Sequence, residues 1–399
     1  MIRLDLMSPT VHLTPDQVTP ACVHGLYVHI PFCFHKCHYC DFYSITRQSR
    51  ERMERFVELL LQEACFWQKH RLSPQTIFFG GGTPSLLPLD LMDRLIQGLK
   101  RLLNLSGVTE WTVEVNPATA DREYLAMLRA HGVNRLSLGA QSFIPGELQT
   151  LERHHHPRDV EQSLGWAFEA GFRRLNLDLI YAIPGQTPDS WEHSLEQALR
   201  FQTGHLSCYG LTYEPNTPMT VRRRMGDFQP IDESLELRML GLARRKLQNQ
   251  GLNPYEISNY ALPGEECRHN LVYWKGDNYI GLGPSAASHM EGHRFKNRPH
   301  LREWEQGVMN QQLPVVEHEQ LTPEQRMNER VWLGLRLQEG VRFVDLVRYQ
   351  VTSDPHDYYR SGLQRLSEAG FVHVSSEGFC LTEQGIPIAD SVAAELLAR

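Results

Sequence analysis

The chain has 399 residues, room for two or three domains at roughly 150 residues each, and long enough to bury its cores without disulfide or metal staples. Forty Lys and Arg against 47 Asp and Glu leave a net charge of −7, so there is no basic footprint for nucleic acid and no polybasic membrane anchor. An apolar share of 41% with 29 Gly and 23 Pro excludes a disordered or collagen-like chain. Residues Met1 to Pro20 show no apolar run behind a basic start, and no stretch reaches 18 uninterrupted apolar residues. The expectation is a cytoplasmic protein without a transmembrane segment, any membrane contact being peripheral.

From Leu26 to about Tyr213, short β-rich runs alternate with amphipathic helical runs, the pattern of parallel strands joined by crossover helices. Strands are expected at Leu26 to Ile30, Thr76 to Phe79, Trp111 to Val115, Arg135 to Gly139, Arg174 to Ile180 and His205 to Thr212. Between the first two, Met53, Phe56, Val57, Leu60, Leu61 and Ala64 form a helical stripe. Further helices are expected at Leu89 to Leu103, Arg122 to Ala130, Asp159 to Ala170 and Ser190 to Phe201, with Gly132 and Gly171 at helix ends where a left-handed cap belongs. Six such units are two short of a closed eight-fold barrel, so the fold class is α/β, an open partial (β/α)6 barrel over residues 21–230 behind a tail, 1–20. A helix from Ile231 to about Gln248 opens a middle α+β region over 231–320. Beyond it, helices at Glu324 to Leu337, Phe343 to Tyr349 and Tyr358 to Ala369 and a hairpin from Phe371 to Thr382, with Glu377 and Gly378 at its turn, give a winged-helix-like domain over 321–399. With eight Arg, no Lys and eleven acidic residues, a net of −3, this domain is not expected to bind nucleic acid.

Five of the eight cysteines, Cys22, Cys65, Cys208, Cys267 and Cys380, stand singly, whereas Cys33, Cys37 and Cys40 crowd the loop after the first strand as C-x3-C-x2-C. In a cytosolic chain this is no disulfide framework. Zinc wants four ligands, which His35 or His38 would have to complete. Three thiolates on a four-iron cube leave one iron open for a reactant. The spacing alone leaves cluster, zinc and structural thiols open.

Gly80-Gly81-Gly82-Thr83-Pro84 follows the second strand, Glu114 lies on the third, Gln141 follows the fourth and Asp178 lies on the fifth. Residues at the carboxyl ends of barrel strands converge on one mouth. Each alone reads as an ordinary loop, cap or solvated side chain; together they occupy the places one ligand site requires. Arg153, placed at the helix start after Gln141, suits a carboxylate, and Tyr27 and Tyr39 offer aromatic faces near the cysteines, with core packing as the plainer explanation.

The cysteine spacing with the Gly-rich turn resembles the radical S-adenosylmethionine (SAM) superfamily. Leu26 to Cys33 (LYVHIPFC), Leu136 to Phe143 (LSLGAQSF) and Asp178 to Thr187 (DLIYAIPGQT) resemble the oxygen-independent coproporphyrinogen III oxidase group within it. The resemblance implies a [4Fe-4S] cluster on Cys33, Cys37 and Cys40. It also implies SAM contacts at Tyr27, Tyr39, Gly81, Gly82, Thr83, Glu114, Gln141, Arg153 and Asp178, the turn's backbone meeting the methionine amino group. SAM reductively cleaved there would yield a 5′-deoxyadenosyl radical.

Oxidases of the group carry a further Cys two residues after the third cluster Cys, where this chain has Phe42, and a long N-terminal arm, where about 25 residues precede the first strand here. His269-Asn270-Leu-Val-Tyr273-Trp274 matches the H-N-x-x-Y-W pattern of the group's heme-chaperone branch. The resemblance therefore implies heme as a ligand and a heme-accepting protein as partner, with a tetrapyrrole-directed radical SAM enzyme as the alternative. His269 suits an axial heme position flanked by aromatics; a histidine beside core aromatics is the plainer explanation. Cys267, His154, His155 and His156 are further axial candidates.

Overall fold

The computed structural model describes residues 13–18, 22–46 and 48–397; the expected tail lies outside these apart from 13–18. Six parallel strands, β1 (Gly25–Ile30), β2 (Thr76–Gly81), β3 (Glu110–Val115), β4 (Arg135–Gln141), β5 (Arg174–Tyr181) and β6 (His205–Gly210), alternate with the helices Arg50–Cys65, Leu89–Leu102, Arg122–Ala130, Pro157–Glu169 and Pro188–Arg200. Each strand pairs with the next in chain order, and β1 and β6 do not meet. The barrel is open, as the count of units predicts.

Side-chain alternation explains the arrangement. Leu26, Val28 and Ile30 are buried on one face of β1, while Tyr27 and His29 take the other. The helix Arg50–Cys65 starts where Ser49 caps the amide of Arg52, and it buries Met53, Phe56, Val57, Leu60 and Ala64. Each large apolar side chain so buried contributes roughly 1.5–3 kcal/mol. Gly132 and Gly171 both sit at φ +90°, the left-handed geometry expected of them.

The stretch expected as a region of its own instead extends the same sheet at both edges. β7 (Asn253–Pro254) and β8 (Asn259–Ala261) add antiparallel to β6. β9 (Tyr279–Leu282) pairs parallel with β1, and β10 (Ala287–Met290), β11 (His293–Asn297) and β12 (Val315–Gln320) continue antiparallel, giving twelve strands. A single core runs from Leu13 to Val315. Buried Glu63 ties it together by accepting from Gly283 N at 2.8 Å, Trp304 Nε1 at 3.0 Å and Asn297 Nδ2 at 2.6 Å. Strands of two to six residues carry too little periodicity to announce a partner sheet.

The C-terminal part has its own core. Its order is helix Pro323–Leu335, β13 (Val341–Arg342), helices Phe343–Val347 and Pro355–Glu368, β14 (Val372–Val374), β15 (Gly378–Leu381) and a further helix, Ala389–Leu397. The three strands form an antiparallel sheet in the order β13-β15-β14. Among the described residues no helix is long and apolar enough to cross a membrane.

Candidate functional site at the barrel mouth

The cysteine loop hangs from a closed neck. Ile45 N donates to Pro31 O at 2.7 Å and Cys33 N to Ile45 O at 3.0 Å, while Phe32, fully buried, packs edge-on against Phe56 at 5.1 Å. Residues between these bonds are held at the carboxyl end of β1, so Cys33, Cys37 and Cys40 line one cavity. It encloses about 1240 Å³, more than the roughly 300–1,000 Å³ of an ordinary ligand pocket. Tyr39, Gly81, Gly82, Thr83, Glu114, Gln141, Arg153 and Asp178 line it too.

The fold itself requires the glycines of the turn. Gly82 N donates to Ile30 O at 2.9 Å and Thr83 N to Phe32 O at 2.7 Å, so these amides splice the turn to the cysteine loop. A Cβ at Gly82 would meet Phe32 O and the Pro31 carbonyl carbon at 2.7 Å. Gly81 has φ +103°, and a Cβ there would strike the His29 ring at 2.4 Å. With the amides of Gly82 and Thr83 committed, the turn suits a ligand ammonium through carbonyl oxygens, which accept where an ammonium donates.

Tyr27 does not line the cavity. Its hydroxyl lies 3.0 Å from His29 Nδ1, whose Nε2 is 2.8 Å from Tyr43 O; Tyr27 thus supports the ring on which Gly81 rests. Arg153 stands beyond the end of the helix Pro145–Thr150 rather than at its start, its amide bonded to Leu148 O at 2.9 Å. Its Nη2 donates to Gly139 O at 2.8 Å, Nη1 lies 3.6 Å from Cys37 Sγ, and Nε is buried without a partner.

Gln141 follows an irregularity in the β4–β5 register and adopts φ +63°, a left-handed conformation that costs a non-glycine residue about 1 kcal/mol or more. It turns the chain at the cavity wall. Asp178 accepts from Ser137 Oγ at 3.0 Å and Asn176 Nδ2 at 2.9 Å. Glu114 accepts from Gly81 N at 3.2 Å. Burial, with the Asp178 charge adding, pushes Glu114 up to about 8, and burial also raises Asp178. Ser137 and Asn176 are not among the residues the sequence points to, although Asn176 stands two residues before Asp178 on the same strand.

The H-N-x-x-Y-W residues lie elsewhere. His269 lies in the first turn of the helix Arg268–Trp274, fully buried against the amino ends of the strands. Its Nδ1 is 2.8 Å from Thr76 Oγ1, its Nε2 is 2.9 Å from the Tyr273 hydroxyl, and its ring stacks on Phe78 at 5.3 Å. Burial lowers its pKa to about 3. Both ring nitrogens are engaged, so axial ligation of heme by His269 requires this helix to open. Cys267 is equally buried, 3.5 Å from Glu110 Oε1. His155 is buried against Ala140 O at 3.0 Å, whereas His154 and His156 are exposed.

The donor set at the mouth fits an iron-sulfur cluster with SAM beside it. Burial raises the Cys33 and Cys40 thiols, the latter to about 11, so thiolate ligation there calls for cationic partners such as irons. Among the described residues no three His, Cys, Asp or Glu side chains close on a single-ion position, and a cube with its irons at separate corners does not ask them to. Arg153 Nε, unpartnered on the cavity wall, is an open donor for a carboxylate.

Residues 27–198 match the radical SAM superfamily, and residues 321–388 match the HemN C-terminal domain. The chain is 34% identical to heme chaperone HemW of Bacillus subtilis (strain 168), over 94% of this chain and 99% of the relative. It is 33% identical to heme chaperone HemW of Escherichia coli (strain K12), over 94% and 98%. Among solved structures, coproporphyrinogen III oxidase (HemN) from Escherichia coli superposes with a TM-score of 0.81 at 23% identity, over 94% of this chain and 90% of that one, which establishes a common fold. Full-length identity to these relatives, with the cysteine loop and glycine turn at the mouth of an open barrel, makes this chain a member of the HemW family of radical SAM proteins, whose cofactors are a [4Fe-4S] cluster and SAM.

Proposed function

We propose that this chain is a heme-binding chaperone of the cytoplasm that delivers heme to a target protein, any membrane contact being peripheral. The observation that carries the reading is identity of 33–34% along nearly the whole chain to relatives named heme chaperone. Likeness to coproporphyrinogen III oxidase extends to the fold alone, and Phe42 in place of a further cysteine gives no support to oxidase chemistry.

Cys33, Cys37 and Cys40 would hold the cluster, leaving one iron for SAM. When bound, the cluster supplies an electron to SAM. The turn at Gly81, Gly82 and Thr83 receives the ammonium, and Arg153 orients the carboxylate through its free Nε. Asp178, braced by Ser137 and Asn176, and Glu114, braced by Gly81, offer acceptors on the facing wall. Gln141 and Tyr39 close the sides. A SAM cation beside Glu114 would favour its ionised form and bring its pKa down.

The test is anaerobic reconstitution with iron and sulfide analysis, followed by heme titration and an assay with coproporphyrinogen III, SAM and a reductant. Heme binding without conversion is the expected outcome. Conversion to protoporphyrinogen IX without heme binding overturns the proposal in favour of the oxidase.

A further inference from the structure

The cysteine loop carries apolar surface that its own fold does not use. Phe34 is 75% and Phe42 66% exposed, and both line the cavity rim. Exposed aromatics grouped beside a pocket mark a binding surface. His35 and His154 line the same rim. Their rings meet edge to face at 4.7 Å, and Phe34 stands 6.3 Å from His154.

Glu152, at φ +56°, lies 3.2 Å from His35 Nε2 and 3.6 Å from His38 Nε2. Glu152 thus faces His35 and His38, and His154 is the exposed imidazole of the rim. The next helix completes the surface. Met219 N donates to His38 O at 3.0 Å, which docks the helix Pro218–Met225 on the loop, and Arg222 reaches the loop with Nη1 3.4 Å from His38 Nδ1 while its Nε pairs with Asp227 at 3.3 Å.

We infer that heme docks on this rim, its iron ligated by His154, its flat face on Phe34 and Phe42, and a propionate toward Arg222. The inference rests on the heme-chaperone reading and names its site. It follows from the matching of chemistries: a planar apolar dianion with an open axial position meets exposed rings, a cationic side chain and an exposed imidazole. His205 and His269, by contrast, are buried with both ring nitrogens hydrogen-bonded, and His155 is buried with its Nε2 on Ala140 O.

The experiment titrates hemin anaerobically into the cluster-reconstituted full chain, comparing the parent with His154→Ala, His154→Gly, His269→Ala and the double variant Phe34→Ala/Phe42→Ala. His154→Ala should move the Soret maximum and weaken hemin by at least the roughly 10–100-fold that loss of an outer-shell partner costs at metal sites, leaving the cluster absorption unchanged. Imidazole added to His154→Gly should restore the parent Soret position. The double Phe variant should weaken hemin without moving the maximum. Parent-like Soret position and affinity in His154→Ala, or parent-like affinity in the double Phe variant, overturn the placement while leaving the chaperone reading intact; a parent that takes up no hemin overturns the reading itself.

Discussion

At the carboxyl ends of the barrel strands several polar groups keep bonding capacity to spare, whereas at the amino ends the same strands are sealed by the helix Arg268–Trp274. The mouth holds Arg153 with an unpartnered Nε, a left-handed Gln141 and two buried carboxyls of raised pKa. The base pairs Glu110 with Arg135 at 3.8 Å and Arg174 at 3.7 Å, accepts the His269 amide at 3.0 Å, and joins His269 to Thr76 and Tyr273. A histidine flanked by tyrosine and tryptophan is thus a closure at one end of this barrel, while exposed histidines and phenylalanines gather at the other. Closure by a helix, rather than residue type, separates the structural end from the one open to a ligand, since Glu110 Oε2 and Arg135 Nη2 at the base also lack hydrogen-bond partners.

Four substitutions test that contrast. Glu110→Ala leaves the Arg135 guanidinium buried and unpaired, and should cost roughly 3–5 kcal/mol, measured by denaturant unfolding; a loss below 1 kcal/mol would break the description of the base as sealed. His269→Ala strands the Tyr273 hydroxyl and opens a cavity, at roughly 2–4 kcal/mol. Its heme Soret band should stay where the parent's is, and a shifted band would return His269 to the list of ligands.

Gly82→Val drives a branched side chain into the backbone of residues 31 and 32, just ahead of Cys33. Iron content after reconstitution should fall together with SAM affinity. A full cluster with weakened SAM would mean that the turn serves the ligand only.

The smallest effect concerns pH. Glu114 titrates at about 8 in the folded chain against an ordinary 4.5. Between those values the unfolded state has lost the proton that the folded state keeps, so this group costs stability as pH rises from about 4.5 to 8. Glu114→Gln should flatten that part of a plot of melting temperature against pH for the SAM-free protein. SAM should stabilise the parent more at pH 8 than at pH 6, because its cation offsets the ionised carboxylate; a pH-independent SAM shift would remove Glu114 from the SAM wall.

The sequence by itself determined the barrel and most of the residues at its mouth. Parallel strands joined by helices repeat hydrophobic periods that are local to each segment, so β1 to β6 and their helices are legible one at a time. Glu114, Gln141 and Asp178 are legible because a strand end is itself a local feature. Only the tertiary structure decided what touches what: that residues 253–320 lengthen the barrel sheet on both edges, that Tyr27 reaches the site through His29, and that Gly82 is held by the backbone of the cysteine loop. The fate of the histidines belongs there too. His269 and His154 are the same residue type beside aromatic neighbours, and the difference between them is burial and hydrogen-bond partners supplied from distant segments, Thr76 for the one and solvent access beside the cysteine loop for the other. Such partners lie far apart along the chain, and no local period encodes them.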